Sequence, residues 1–315
     1  MINEGLKNIL ACPGCSGNLS FAETEITCGK CHKRYPIVDG IPVLINEDES
    51  VFKIGDFRNR SSTTLGFDTL NRGCLRKIWS NIAPGLTLNM RSKKNLKKFE
   101  NETLDFSAKP VILVIGGGIL GSGMAELIKN NRITLIETDV SFGPRTQLIC
   151  DAHSIPFADS SFDGVVAQAV LEHVADPYKC VSEIYRVLKL GGLIYSETSF
   201  IQQVHMGRYD FTRFTDLGHR RLFRKFKEID RGIVVGPASA LAWSIRYFLI
   251  SFTDSRVIKK MLDLFSIFTV FWIKYFDIFI VKNASSNDAA GGFYFLGKKS
   301  DSTLSDKEII SLYKT

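Results

Sequence analysis

Apolar residues in the middle of this chain fall in short unbroken runs closed by glycine, proline or charged residues: VILVI at 111–115, then ITLIE, then FDGVVAQ from 162. Runs of that length between turn signals mark strands buried on both faces, as in parallel sheets. The pattern predicts strands at 111–115, 133–138, 146–150 and 162–168, with LIYSETSF and GGFYFLGKK (291–299) as two more. Between them the apolar spacing becomes helical. One helix is expected at about 120–130 and another at 177–188, where Val181, Ile184, Tyr185 and Leu188 form a stripe that Gly191 and Gly192 end. Strands alternating with helices specify an α/β, doubly wound sheet.

Two later stretches follow other patterns. Between the fifth strand and residue 232, arginines and lysines interleave with phenylalanines; residues 217–227 suit a basic helix with Leu217, Phe223 and Phe226 turned inward. Residues 238–282 are strongly apolar and aromatic, yet the run LFSIFTVFWI holds only ten residues between Asp263 and Lys274. A membrane span needs about twenty. Buried or lid helices inserted before the last strand are expected at 237–290, with peripheral contact to a membrane surface through 238–282 as the alternative.

The amino terminus has a different chemistry. Cys12, Cys15, Cys28 and Cys31 form two CxxC pairs twelve residues apart, which is zinc-ribbon spacing. Two such turns aim four thiolates at one point and leave no open position for substrate, so the expected metal is a structural zinc. A segment of that size buries too little apolar surface to fold alone, and metal binding worth roughly 10 kcal/mol or more supplies the difference. Cys74, Cys150 and Cys180 lack ligand spacing and read as small buried hydrophobes. MINEGLKNILACPGC has no basic flank and long apolar run of a secretory signal, so a cytoplasmic protein, or one peripheral to the inner membrane surface, is expected. The formal net charge of +7 favours an anionic partner: a phosphate, a nucleic acid or a lipid surface.

The chemistry of the sheet lies in its turns. VILVIGGGILGSG brings a strand into glycines, so Gly116, Gly118 and Gly121, with Gly117 between the first two, can approach a nucleotide-like ligand, and LIETDVS ends the next strand on carboxylates suited to ribose hydroxyls. A glycine turn alone also fits flavin and nicotinamide enzymes. The following text, IPFADSSFDGVVAQAVLEHV and IYRVLKLGG, resembles the class I S-adenosylmethionine-dependent methyltransferases, type 11, over the block from Val111 to Phe200. ILACPGC with RYPIVDGIPVLI resembles the small zinc proteins that activate tRNA and protein methyltransferases. Two positions depart from the first pattern: Val114 stands where an acid is usual, and Leu190 where proline is usual.

The resemblance implies a Rossmann-like seven-stranded sheet with S-adenosylmethionine as cofactor. Gly116 and Gly118 would meet its methionine part, Asp139 its ribose with Glu137 as competitor, and Asp151 with Ala152 its adenine edge, with Gln168 beside them. For a hydroxyl acceptor the base is sought among the histidines. His205 is the first choice, with Asp210 to orient it, Arg213 to neutralise an anionic substrate, and His173 of LEHV at the cofactor's edge. The expected layout is a zinc ribbon at 1–46, a linker with a helix at 47–110, the methyltransferase domain at 111–236 and 291–300, the helical insertion, and a tail at 301–315. The expected acceptor is a sugar, a lipid-linked glycan or a small anionic metabolite, with ribosomal or transfer RNA as the alternative and an oxidoreductase as the rival class.

Overall fold

The computed structural model describes residues 4–58 and 84–313. Cys74, with residues 59–83 of the expected linker, lies outside these residues. A small antiparallel sheet comes first: β1 (Leu19–Phe21), β2 (Glu25–Cys28), β3 (Arg34–Val38) and β4 (Ile41–Pro42), in that order. The second sheet has seven strands: β5 (Val111–Ile115), β6 (Thr134–Asp139), β7 (Leu148–Ile149), β8 (Phe162–Gln168), β9 (Leu188–Ser199), β10 (Phe226–Val235) and β11 (Gly292–Lys299). Its spatial order is β10-β11-β9-β8-β5-β6-β7. The strands from β9 to β7 run parallel, and β11 lies antiparallel between β9 and β10. This is the seven-stranded, doubly wound sheet the sequence led us to expect.

Strand order fixes where the site must be. The chain leaves β5 toward β6 on one side and later reaches β8 on the other, so the order reverses at β5 and a crevice opens beyond its carboxyl end. Helices cover both faces: Ser92–Phe106 and Met124–Lys129 on one, with Leu96, Phe99 and Leu127 packed against Ile112, Val114 and Val166, and Pro177–Val187 on the other, with Val181 and Ile184 against Phe162, Val165 and Ile194. Asp176 caps the last of these, accepting Lys179 N–H at 3.0 Å, and Pro177 starts it.

Three elements differ from expectation. The helix expected from about 120 begins at Met124, because Gly123 takes φ +85° and the preceding glycine-bearing loop stays open over the crevice. The helix expected over 217–227 ends at Leu222, and Phe226 opens β10 instead. Phe223 and Phe226 are buried as expected, but KEIDRGIVV pairs with β11 from Lys227 to Val235, interrupted by bulges at Ile229 and Val234. The insertion, with helices Pro237–Ile250, Arg256–Val270 and Asp277–Ile280, is not a set of buried helices. Its outer face exposes Phe248, Phe252, Phe265, Trp272 and Phe279, each at 51% or more.

The ribbon is bound to the seven-stranded sheet by its own backbone. Ala11 N–H donates to Pro156 O, Ala158 N–H to Ile9 O and Leu44 N–H to Ile149 O, and Val43 bridges Ile149 at the sheet edge. The chain after it, part of the expected linker, continues as an arm in which Ile45, Phe52 and Phe57 pack on Phe142 and Ile149.

Candidate functional site

A cavity of about 340 Å³ opens at the reversal of strand order. Its floor is the glycine turn. Gly116 sits at φ +72°, and a Cβ there would lie 2.6 Å from Val170 Cγ2, so no other residue fits. Gly117 N–H donates to Thr138 O (2.9 Å) and Gly118 N–H to Asp139 Oδ2 (2.9 Å), which pins the turn against the end of β6. Gly116 and Gly121 face the cavity, while Gly117 and Gly118 hold the turn from behind.

The two carboxylates that compete for a ribose are placed differently. Asp139 lines the cavity; burial raises its carboxyl above the ordinary value, against the opposing donors Gly118 N–H and Ser141 Oγ. Glu137 lies beneath the turn, beside a smaller recess, and is paired with Arg145 Nε at 2.7 Å. Gln168, at the end of β8, donates to Ser122 O while its Oε1 is buried with no partner in the protein. Leaving such an acceptor unmet costs about 1–3 kcal/mol, so it is a place for a ligand donor. Ala169 follows at φ +52° on the cavity wall. A strained non-glycine residue there suits a ligand-shaping turn. Val114 packs into the apolar layer with Phe99 and Met124.

Asp151 and Ala152 form the next wall. Asp151 accepts from His153 N–H (3.0 Å) and His153 Nδ1 (2.6 Å) through Oδ1, and from Ser50 Oγ (2.5 Å) through Oδ2. His153 Nε2 in turn accepts Asp176 N–H at 3.0 Å, which holds the ring. The arm from the ribbon thus reaches the site: Ser50 touches Asp151, and Phe52 lines the cavity, its ring 5.4 Å from that of Tyr209. Sequence reasoning assigned roles to neither of these, nor to His153. The last was legible, since it follows Asp151 by two residues; the arm is a long-range contact with no local signal.

The far end of the cavity carries His173, His205, Met206 and Tyr209. The two imidazoles stand edge to face with centroids 4.7 Å apart, and with Glu172 they form a cluster whose ligating atoms lie within 4.8 Å of one another. His173 Nδ1 donates to Tyr209 O (3.0 Å) and His205 Nδ1 to Gln203 O (3.2 Å), which leaves Nε2 of each ring with a free lone pair. Burial, with His205 adding to it, lowers the His173 pKa and keeps that ring neutral. Glu172 accepts Thr198 Oγ1 and Ser199 Oγ. Asp210 accepts His205 N–H at 2.8 Å, and its Oδ2 lies 3.4 Å from His205 Nδ1, so it stands behind that residue. Arg213 spends its donors on Asp210 and on Gln202 O, Thr212 O and Gln203 O. It ties the loop together and does not line the cavity, so the anion-neutralising role expected from the sequence does not match its position.

Away from the cavity, the four ribbon cysteines converge. Cys12 and Cys31 sulfurs are 3.7 Å apart and Cys15 and Cys28 sulfurs 3.5 Å, spacings that tetrahedral Zn–S bonds of about 2.3 Å produce. Lys30 N–H and Cys31 N–H point at Cys28 Sγ, donors suited to a thiolate. Four sulfurs complete the shell of a structural zinc. Cys150 and Cys180 are buried in the core, where burial pushes the Cys150 thiol up to about 12. Several arginines of the basic segment are internal: Arg220 and Arg231 are buried and paired with Glu228, so the positive surplus does not form one exposed stripe.

Comparison with known proteins agrees with both modules. Residues 117–196 match the methyltransferase domain family and residues 4–40 the Trm112p-like protein family. The ubiquinone/menaquinone biosynthesis C-methyltransferase UbiE of Haemophilus ducreyi is 30% identical over 127 residues, 40% of this chain and 48% of that one. A UPF0434 protein of Psychromonas ingrahamii is 43% identical over 47 residues, 14% of this chain and 80% of that small protein; the ribbon belongs to its family. The chain spans less than half the length of the methyltransferase relatives it matches, the ubiquinone biosynthesis O-methyltransferase of Xanthomonas oryzae (45%) among them. The solved phosphoethanolamine N-methyltransferase 2 of Haemonchus contortus aligns with a TM-score of 0.39 and 17% identity over 65% of this chain and 53% of that one.

Proposed function

We propose that this chain, a methyltransferase domain fused to a Trm112p-like zinc ribbon, moves a methyl group from S-adenosylmethionine to a hydroxyl of a lipid-linked acceptor. The observation that carries this reading is the continuity of one cavity from the glycine turn and Asp139, past Asp151 and Ala152, to the two histidines. The residues fit the cofactor in order. Gly116 and the unpaired Gln168 Oε1 would receive its amino-acid part, Asp139 its ribose, and Asp151 with Ala152 and Phe52 its adenine. Bound there, the cofactor supplies an electrophilic methyl on sulfur.

The protein's part is alignment, exclusion of water and removal of one proton. Two imidazoles at the acceptor end, each with Nδ1 turned to a backbone carbonyl and Nε2 left for a proton, are suited to the last task, and Asp210 holds His205 in place. His205 is assigned as base and His173 as its neighbour at the methyl. Among acceptors, a lipid-linked glycan or another amphiphilic hydroxyl compound suits the walls, since Ile119, Leu120, Val170, Val174 and Met206 are apolar and Arg213 is engaged elsewhere. Two of the relatives are methyltransferases of ubiquinone biosynthesis, one named as a C-methyltransferase and one as an O-methyltransferase.

The test uses labelled S-adenosylmethionine and a fractionated lipid extract. His205→Ala should lower turnover by about a hundredfold or more while cofactor affinity stays within a factor of two. Unchanged turnover would remove His205 from the mechanism, and label entering only RNA would replace the acceptor.

A further inference from the structure

The insertion between β10 and β11 is built with its polarity reversed. Several of its polar side chains are turned inward or paired. Asp277 caps the helix Pro237–Ile250, accepting Ala238 N–H, Ser239 N–H and Ser239 Oγ. Lys274 is buried against Gly85 O, Trp243 Nε1 donates to Thr87 Oγ1, and Arg246 pairs with Asp263. In the helix Arg256–Val270, Ser266 is fully buried while Val257, Met261 and Phe265 are 60–70% exposed. Among the described residues, 25 large apolar side chains are exposed, and 13 of them fall between Leu241 and Phe279. A patch this concentrated marks a binding surface.

The charges on this face name its partner. The insertion carries six lysines and arginines against four aspartates; Arg256, Lys260 and Lys282 are exposed, Asp263 is paired with Arg246 and Asp277 is buried in the helix cap, while the exposed Asp254 and Asp288 meet Lys259 and the Tyr313 hydroxyl. Free positive charge beside aromatic and aliphatic side chains, with Trp272 and Tyr275 among them, is the composition of elements that lie in the headgroup region of an anionic bilayer. No helix among the described residues is long and apolar enough to cross a membrane, so the contact is in the plane of the interface.

The face is also continuous with the cavity. Gln203 Nε2 donates to Ser244 Oγ and Tyr247 OH to Val204 O, which fastens the loop carrying His205 and Met206 to the first insertion helix. Val204 is 59% exposed on that loop, and Ile119 and Leu120, both exposed, line the opening of the cavity.

We propose that the insertion docks on an anionic lipid bilayer and presents the cavity to an acceptor held in that bilayer. The choice of acceptor rests on the methyl-transfer reading above; the docking does not. The experiment is flotation of the full-length protein with vesicles of phosphatidylethanolamine and phosphatidylglycerol, and separately with phosphatidylcholine alone. Co-flotation with the anionic vesicles, weakened by salt, is expected. Phe265→Ser combined with Phe279→Ser should reduce bound protein about tenfold or more, and Lys260→Glu combined with Lys282→Glu should abolish the preference for anionic lipid. Both altered proteins should bind S-adenosylmethionine as the parent does, since these side chains are on the surface. Failure of the parent to float, or equal flotation of the phenylalanine variant, overturns the inference. So does a parent dimer in light scattering that the same variant converts to monomer, because the face then belongs to a second copy. Cofactor binding without flotation sinks only the docking; flotation without cofactor binding sinks the methyl-transfer reading.

Discussion

Asp210 shows how much a single residue does in this site. Burial works against its ionisation, but the Arg213 guanidinium and the His205 amide outweigh burial and hold its carboxyl far below the usual carboxylate range. A carboxyl depressed on folding adds stability above its unfolded pKa, near 3.8 here, and that stability is lost as pH falls through the lower folded value. The melting temperature of the parent should therefore exceed that of Asp210→Asn by a constant margin above about pH 5, and the margin should shrink only below pH 3.8. A margin that instead vanishes between pH 5 and 7 would assign the effect to the histidines. At this scale the sequence was informative where chemistry is local. Glycines after a strand, acids after the next strand and LEHV all mark the cavity, and Asp139, Asp151, Gln168, His173 and His205 line it. An arginine near a site looks free in a sequence until its partners are seen, and those of Arg213 are Asp210 and three backbone carbonyls.

Among the elements, the ribbon is the one whose role could not be read locally. Its four cysteines announce a metal, but its place along the edge strand β7, and the reach of Ser50 and Phe52 into the cavity, depend on pairing between residues about a hundred positions apart. The same holds for β10: KEIDRGIVV lacks the apolar run of an inner strand because it lies at the sheet's edge, where charged residues are common. A metal-built ribbon that carries one wall of the site couples zinc to cofactor binding. Stripping zinc with a chelator, or replacing Cys28 by Ser, should lower the melting temperature by several degrees and weaken S-adenosylmethionine binding about tenfold, through the loss of Ser50 and Phe52 from their positions. Zinc-free protein that binds the cofactor as well as before would confine the ribbon to a separate role. The helix at Met124 started late for a related reason: the five glycines from Gly116 to Gly123 supply a loop over the crevice, and periodicity alone does not register that demand.

At the scale of the molecule, three parts converge on one opening. The sheet supplies the glycine turn and the carboxylates, the ribbon arm supplies an aromatic wall, and the insertion fastens the histidine loop while turning an apolar face outward. The sheet was legible because buried parallel strands write themselves as apolar runs. The outward face was not, because apolar helices read alike whether they are buried or lie on a lipid surface; only exposure separates the two. What joins these parts, in the proposed reading, is a cavity that takes S-adenosylmethionine. Titration calorimetry of the pure protein with S-adenosylmethionine, and with its demethylated product, measures that property without reference to any acceptor. One site with clear heat is expected for the parent, and Asp139→Ala should bind about tenfold more weakly or worse. No heat with either compound, or undiminished binding by Asp139→Ala, would contradict it.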